Sequence, residues 1–271
     1  MINDIIENIT FPKNTNEKYK EKIRKFFIAT RLLIKSKLLR GKNKKANVSF
    51  FGFKISGYDY YTLYFLFKEV FISNEYFFDA KTTAPLIIDC GANIGMSILY
   101  FKKLYPSSRI TAFEANPLVY KLLQENITQN KLSDIELNNV ALYDEEKEIP
   151  FYINENIGTL MGSVEETRGG SISVKVPAKR LSSYLVNMDL VDLIKIDVEG
   201  AEIQILNDLF TASFINKAKE YIIEYHHNIN DSTLLSVFLQ KFETNGFKYN
   251  IKSDFSGINS FQDLLIHFYK A

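Results

Sequence analysis

Cysteine, tryptophan, histidine, proline and glycine are all scarce in this chain. Its 271 residues include one cysteine, no tryptophan, three histidines, six prolines and 12 glycines. A lone thiol, Cys90, excludes an intramolecular disulfide and a cysteine-rich zinc site, and suits a reducing compartment. So little glycine and proline excludes a collagen-like or low-complexity chain. No uncharged apolar run reaches the roughly 18 residues that span a bilayer. Asp4 and Glu7 precede any basic residue, so the first residues do not read as a signal peptide. These absences predict a cytoplasmic protein. What is abundant is apolar and aromatic: 46% of the residues are hydrophobic, with 22 Phe and 16 Tyr, too many for intrinsic disorder. The length suits one α/β domain with an extension, or two small domains.

A net charge of +1 hides an asymmetry. Residues 1–45 carry 13 basic and 4 acidic side chains, against 20 basic and 28 acidic in residues 46–271. That shift marks a boundary between a basic extension and an acidic body. Within the extension, Tyr19, Ile23, Phe26, Phe27, Leu33, Ile34 and Leu38 recur at helical spacing and predict a helix over 15–40, stopped by Gly41. Such a helix can lie on an anionic membrane surface, making the protein peripheral at the inner face of the membrane. The favoured alternative is that its apolar stripe packs on the acidic body.

From Leu86 onward, apolar strand-like runs alternate with amphipathic helices. The runs are 86–89, 109–115, 134–142, 191–197 and 220–227, followed by a closing antiparallel pair at 247–254 and 263–270. An aromatic helix is expected over 59–71. This alternation predicts a doubly wound, mostly parallel sheet. Residues 143–185 break the rhythm. Turn residues at Gly158, Gly162, Gly169 and Gly170 suggest a β-hairpin insertion within a 46–271 domain.

Three groups of residues carry chemistry. The first is the strand-to-helix turn Asp89-Cys90-Gly91-Ala92-Asn93-Ile94-Gly95. Glycines permit a tight turn and close ligand approach, and Asn93 tolerates the left-handed conformation in the middle. The spacing is not the Gly-x-Gly-x-x-Gly of nicotinamide enzymes. The second is Glu114, at the end of the next strand, where a carboxylate can accept both ribose hydroxyls of an adenosine-containing ligand. The third is the pair Asp197 and Glu199, with Glu224 and His226 in the same i, i+2 relation on the next strand. If the two strands are neighbours, three carboxylates and an imidazole gather on one rim. The plain reading is that Glu199 and Glu202 cap the following helix. Cys90 reads as a buried thiol and His267 as a satisfied core histidine.

LIIDCGANIGMS, RITAFEANP, VPAKRLSSYL and DLIKIDVEGAEIQIL together resemble the FkbM-type S-adenosylmethionine-dependent methyltransferases. The resemblance runs from about Val48 to the C-terminus. It implies a Rossmann-like class I methyltransferase fold, with a seven-stranded mostly parallel sheet and one antiparallel strand. It further implies methylation of a hydroxyl on a sugar, glycan or other small acceptor, with no nucleic-acid partner. By similarity Asp89, Gly91, Ala92, Asn93 and Gly95 face the methionine part of S-adenosylmethionine and Glu114 the ribose. Ala115, Asn139, Val140 and Ala141 face the adenine, with Val140 standing where many such enzymes place an acidic residue. Asp197, Glu199 and His226 are the catalytic candidates, His226 as base and Asp197 orienting the acceptor. A divalent metal bridging the carboxylates is an alternative. Two rival functions share these features: a nucleotide-sugar glycosyltransferase with an Asp197/Glu199 metal site, and a non-catalytic S-adenosylmethionine-binding protein.

Overall fold

A computed structural model describes residues 19–39, 45–153, 162–164, 166, 170–228, 232–253 and 261–270. Residues 15–18 of the expected helix, its Gly41 stop, and Gly158 and Gly169 lie outside the described residues. The chain begins with α1 (Tyr19–Leu38), then the hairpin β1 (Ala46–Phe50) and β2 (Phe53–Gly57), then α2 (Tyr60–Phe67). Asp59 caps α2 by accepting from the Thr62 amide at 2.7 Å. The aromatic helix expected over 59–71 is not uniform. It passes into a π-helical turn, Lys68–Ile72, closed where the Ser73 amide donates to the Lys68 carbonyl at 2.8 Å.

The alternating part follows as β3 (Leu86–Cys90), α3 (Met96–Leu104), β4 (Arg109–Phe113), α4 (Pro117–Gln129) and β5 (Ile135–Asn138). Asn116 caps α4, with Pro117 supplying a φ already suited to the first helical turn. A second, four-stranded sheet is built from β6 (Ala141–Leu142), β7 (Lys147–Ile153), β8 (Gly162–Ser163) and β9 (Ile172–Lys179). After α5 (Leu181–Leu185) the main sheet resumes with β10 (Val191–Ile196), α6 (Glu202–Thr211), β11 (Ala218–Asn228), α7 (Ser232–Thr244), β12 (Lys248–Ser253) and β13 (Phe261–Tyr269).

The main sheet has seven strands in the order β12-β13-β11-β10-β3-β4-β5. β11, β10, β3, β4 and β5 run parallel, and β13 lies antiparallel to both its neighbours. The central strands are apolar because both faces are covered. On one side α1 to α4 and the β1–β2 hairpin pack through Leu32, Leu33, Phe67, Phe71, Leu99 and Leu123. On the other, α5 to α7 contribute Leu185, Ile205, Leu209, Phe238 and Phe242.

The expected strand 134–142 is two elements. The Asn139 side-chain amide donates to the Glu114 carbonyl at 2.8 Å and the Ala115 carbonyl at 3.2 Å. Those bonds draw the chain across the end of β4, and the next residues pair with β9 instead. The insertion is likewise more than a hairpin. β7 and β9 pair antiparallel along their length, and β6 and β8 extend the sheet at either edge.

Candidate active site

The site lies at the carboxyl ends of β4, β3, β10 and β11, four adjacent strands. Its first component is the turn after β3. Gly91, Asn93 and Gly95 have φ of +85°, +50° and +92°, so every second residue of the turn uses left-handed geometry. Gly91 is irreplaceable for a further reason: a Cβ there would lie 1.8 Å from the backbone oxygen of Asp197. The Gly91 and Ala92 amides donate to the Phe113 carbonyl at 3.0 and 2.8 Å, and the Asp197 amide to the Cys90 carbonyl at 3.0 Å. The turn is therefore clamped to both neighbouring strand ends.

Asp89 is fully buried beneath this turn. Its Oδ2 accepts from the Ser97 hydroxyl at 2.6 Å, and its Oδ1 lies 3.2 Å from the Lys195 ammonium. Its carboxylate thus braces the turn from below, and the surface offered above comes from the backbone of residues 91–93. Lys195, on the wholly buried strand β10, donates to the Gly91 carbonyl at 2.6 Å, lies 3.4 Å from Asp197 and sits 5.0 Å from the centre of the Tyr76 ring. Burial alone would lower the pKa of this ammonium, but Asp89 and Asp197 outweigh it and the pKa rises.

Glu114 stands at the end of β4 with little solvent contact. Its two oxygens accept from the Asn93 and Asn116 amides, at 2.9 and 2.8 Å. Desolvation pushes its pKa up to about 7, against the lowering by those two backbone bonds. The other adenine-side positions diverge. Ala115 flanks Glu114, and Asn139 has committed its amide to the loop. Val140 is half-buried, and Ala141 packs into the core of the second sheet. Asn138, at the tip of β5 beside Phe113, instead carries a buried side-chain nitrogen with no hydrogen-bond partner.

The second component is the rim formed by β10 and β11, which are adjacent and parallel. Asp197 Oδ2 accepts from the Tyr76 hydroxyl at 3.0 Å. Glu199 sits in the left-handed region with φ +58°, ahead of Gly200 at +119°. His226 Nδ1 lies 2.9 Å from Glu202 Oε1, and its Nε2 lies 3.4 Å from Glu199 Oε2. A carboxylate only accepts, so Nδ1 donates to Glu202, and this bond turns Nε2 toward the Glu199 carboxylate on the rim. Glu202 does not cap α6, whose N-terminus has no side-chain cap; it accepts instead from the Gly200 amide at 2.9 Å, bracing the preceding loop while it orients His226. One oxygen or nitrogen from each of Asp197, Glu199 and His226 falls within 4.8 Å of the other two.

The fourth member, Glu224, has its pKa raised well above the usual carboxylate range, first by Asp197 and then by burial. Glu69, on the π-helical turn, is raised by the protein around it and by Glu75, Asp197 and Glu199, an effect damped by its exposure to solvent. Tyr76, which is buried, is raised well above its ordinary value by desolvation and by Asp197. Cys90 is buried with its thiol pushed up by the same cause, and has no access to a ligand. His267 is only partly buried; its Nε2 lies 2.7 Å from Glu220, away from the rim.

Sequence reasoning missed Lys195, Tyr76, Glu69 and Glu202 as parts of the site. Lys195 was the detectable one, a single cation inside the apolar run VDLIKI. Tyr76 and Glu69 come from the aromatic segment before the alternation begins, and no local pattern ties them to β10.

Residues 89–261 match the family model described as the methyltransferase FkbM domain. The chain belongs to this methyltransferase family. "Methyltransferase sdnD" of Sordaria araneosa is 31% identical over 173 residues, covering 52% of this chain and 67% of that protein. "2-O-methyltransferase NoeI" of Sinorhizobium fredii is 28% identical over 140 residues, covering 45% of this chain and 56% of that protein. Among solved structures, a methyltransferase FkbM from Methylobacillus flagellatus KT superimposes with a TM-score of 0.53 at 13% identity, covering 92% of this chain and 60% of that one. Family membership removes the glycosyltransferase reading. Among the described residues, no helix is long and apolar enough to cross a membrane.

Proposed function

We propose that this methyltransferase uses S-adenosylmethionine to methylate a hydroxyl oxygen on a sugar, glycan or other small acceptor. The observation that carries this reading is adjacency. A glycine turn and a strand-end carboxylate suited to an adenosine ligand stand beside a His/carboxylate rim suited to handling a hydroxyl proton. The name of the NoeI relative supports the choice of oxygen.

The residues present fit the cofactor. The Gly91 position has no room for a Cβ, Glu114 is a buried acceptor at the ribose position, and the buried Asn138 amide nitrogen lacks an acceptor. S-adenosylmethionine, when bound, supplies a methyl group on a sulfonium leaving group. The chain's own residues do the rest. Glu114 accepts the ribose hydroxyls and the 91–95 turn shapes the space beside it. Tyr76 and Lys195 fix Asp197, which orients the acceptor hydroxyl. His226, held by Glu202, takes that proton on Nε2 as the oxygen is alkylated. Near-linear alignment of the reacting groups supplies much of the acceleration in such a step. The Ser163 hydroxyl, on β8, donates to the Glu199 carbonyl at 2.5 Å, so the inserted sheet touches the rim and is suited to choosing the acceptor.

A second reading has its own observation. The Asp197, Glu199 and His226 donor atoms suit a divalent cation, which would lower the pKa of a bound hydroxyl. Methyl-labelled cofactor incubated with a panel of hydroxyl and amine acceptors tests both readings. Label on oxygen, lost in His226→Ala and untouched by a chelator, supports the base. Loss on chelation with recovery on adding a divalent ion supports the metal. Transfer to nitrogen refutes the oxygen assignment. Binding without any turnover would favour a non-catalytic S-adenosylmethionine-binding protein.

A further inference from the structure

The helix α1 has two apolar faces, and among the described residues only one of them is covered. Lys25, Ala29, Leu32, Leu33 and Ser36 are buried against the body. At 3.6 residues per turn these fall within roughly 100° of arc. On the opposite side the exposed residues are Tyr19, Lys20, Ile23, Arg24, Phe27, Arg31, Ile34, Lys37 and Leu38. All nine fall within an arc of about 140° by the same geometry. Five are large and apolar, led by Tyr19 at 78%, Leu38 at 73% and Phe27 at 65% exposure. The other four are basic, and none is acidic. Lys20 and Arg31 edge one side of the stripe and Lys37 the other, while the Arg24 guanidinium packs over the Phe51 ring, 5.2 Å from its centre. The helix's one acidic residue, Glu21, faces inward and pairs with Lys103.

We infer that the outward face of α1 docks this protein on an anionic lipid surface, with the helix lying flat between the bilayer and the body. The pattern fits an interfacial helix: an apolar stripe with Phe, Tyr and Ile enters the headgroup boundary, and Lys and Arg at its edges reach the anionic headgroups. Charge complementarity selects the occupant. A nucleic acid would meet the cations and leave five exposed apolar side chains in water. A neutral lipid surface would use the apolar stripe and leave the cations without counter-charges. An acidic protein would need an apolar groove shaped to this helix, whereas an anionic bilayer engages both sets with no matching shape. The inward face keeps its packing throughout, so docking requires no rearrangement of the fold.

The chain's lack of tryptophan provides a reporter. The full-length protein carrying Phe27→Trp should show a blue-shifted emission with vesicles of phosphatidylcholine plus phosphatidylglycerol, and no shift with phosphatidylcholine alone. The parent should co-sediment with the anionic vesicles. Each basic residue near such a surface contributes roughly a fivefold factor, so Lys20→Gln/Arg31→Gln/Lys37→Gln should weaken partitioning on the order of 100-fold. Phe27→Ser/Ile34→Ser should also abolish it, with circular dichroism and cofactor affinity unchanged, since these side chains point away from the core. The proposal is overturned by equal binding to neutral vesicles or by unaltered sedimentation of the variants. It is equally overturned by sedimentation without an emission shift, or by a dimer in solution that Phe27→Ser/Ile34→Ser dissolves while no vesicle binding is seen.

Discussion

Lys195→Met isolates the charge that holds the site together. Methionine keeps much of the apolar stem and length of lysine, so the substitution deletes the ammonium at small cost in volume. The side chain is 2% exposed and that of Asp89 beside it is fully buried. With the ammonium gone, the Asp89 carboxylate keeps only the Ser97 hydroxyl as a close side-chain partner. Removing one member of a buried ion pair costs about 3–5 kcal/mol, because the charge left behind remains desolvated.

Urea unfolding followed by circular dichroism at pH 7 measures the loss. Adding Asp89→Asn to Lys195→Met should recover part of it, and a double-mutant cycle gives the coupling. A loss below about 1 kcal/mol, or no recovery in the double variant, would refute the reasoning.

Other outcomes follow from the same geometry. Because Glu114 is raised to about 7 and must be ionised to accept ribose hydroxyls, S-adenosylmethionine affinity should rise with pH below 7 and level off above it; calorimetry from pH 6 to 8 should show this in the parent and a flat profile in Glu114→Gln. Gly91→Ala drives a Cβ into the Asp197 carbonyl and should cost at least tenfold in cofactor affinity, whereas Gly52→Ala, with nothing within 4 Å of its Cβ, should leave that affinity unchanged. His226→Ala should lower turnover roughly 10²–10⁴-fold with cofactor affinity intact. Glu202→Gln should fall between that and the parent and shift the pH–rate midpoint downward, because it removes the charge favouring the protonated ring; an unmoved midpoint would make Glu202 a brace of the Gly200 loop alone.

The sheet was legible because its strands announce themselves twice, by apolar runs and by the turn chemistry between them. LIID before a glycine turn, and RITAFEA before Asn116-Pro117, each contain a strand, its stop and the next helix's start. The failures have local causes. Nothing in DIELNNVAL distinguishes a continuous strand from one broken at Asn139, because the break is made by carbonyls 24 and 25 residues earlier in the chain. The π-helical turn that brings Glu69 to the rim sits inside an aromatic run whose periodicity reads as ordinary helix. The insertion was visible as an interruption, but its contact with the rim through Ser163 is tertiary and leaves no mark on the sequence.

The candidate site divides along the same line. Residues acting through the backbone, Gly91 and Gly95, were readable because left-handed turns demand particular residue types. Glu114 was readable because its position at a strand end is itself the signal. Asp197, Glu199 and His226 were readable only as a conditional, since their meeting depends on β10 and β11 being neighbours. Asp89 shows why a motif residue can serve the turn itself. Its carboxylate is directed beneath the turn, onto Ser97 and Lys195. Lys195 in turn ties Asp89, the Gly91 carbonyl and Asp197 into one cluster. The glycine turn after β3 and the β10–β11 rim therefore share the Lys195 ammonium, so a change on one side of that cation alters the electrostatics of the other.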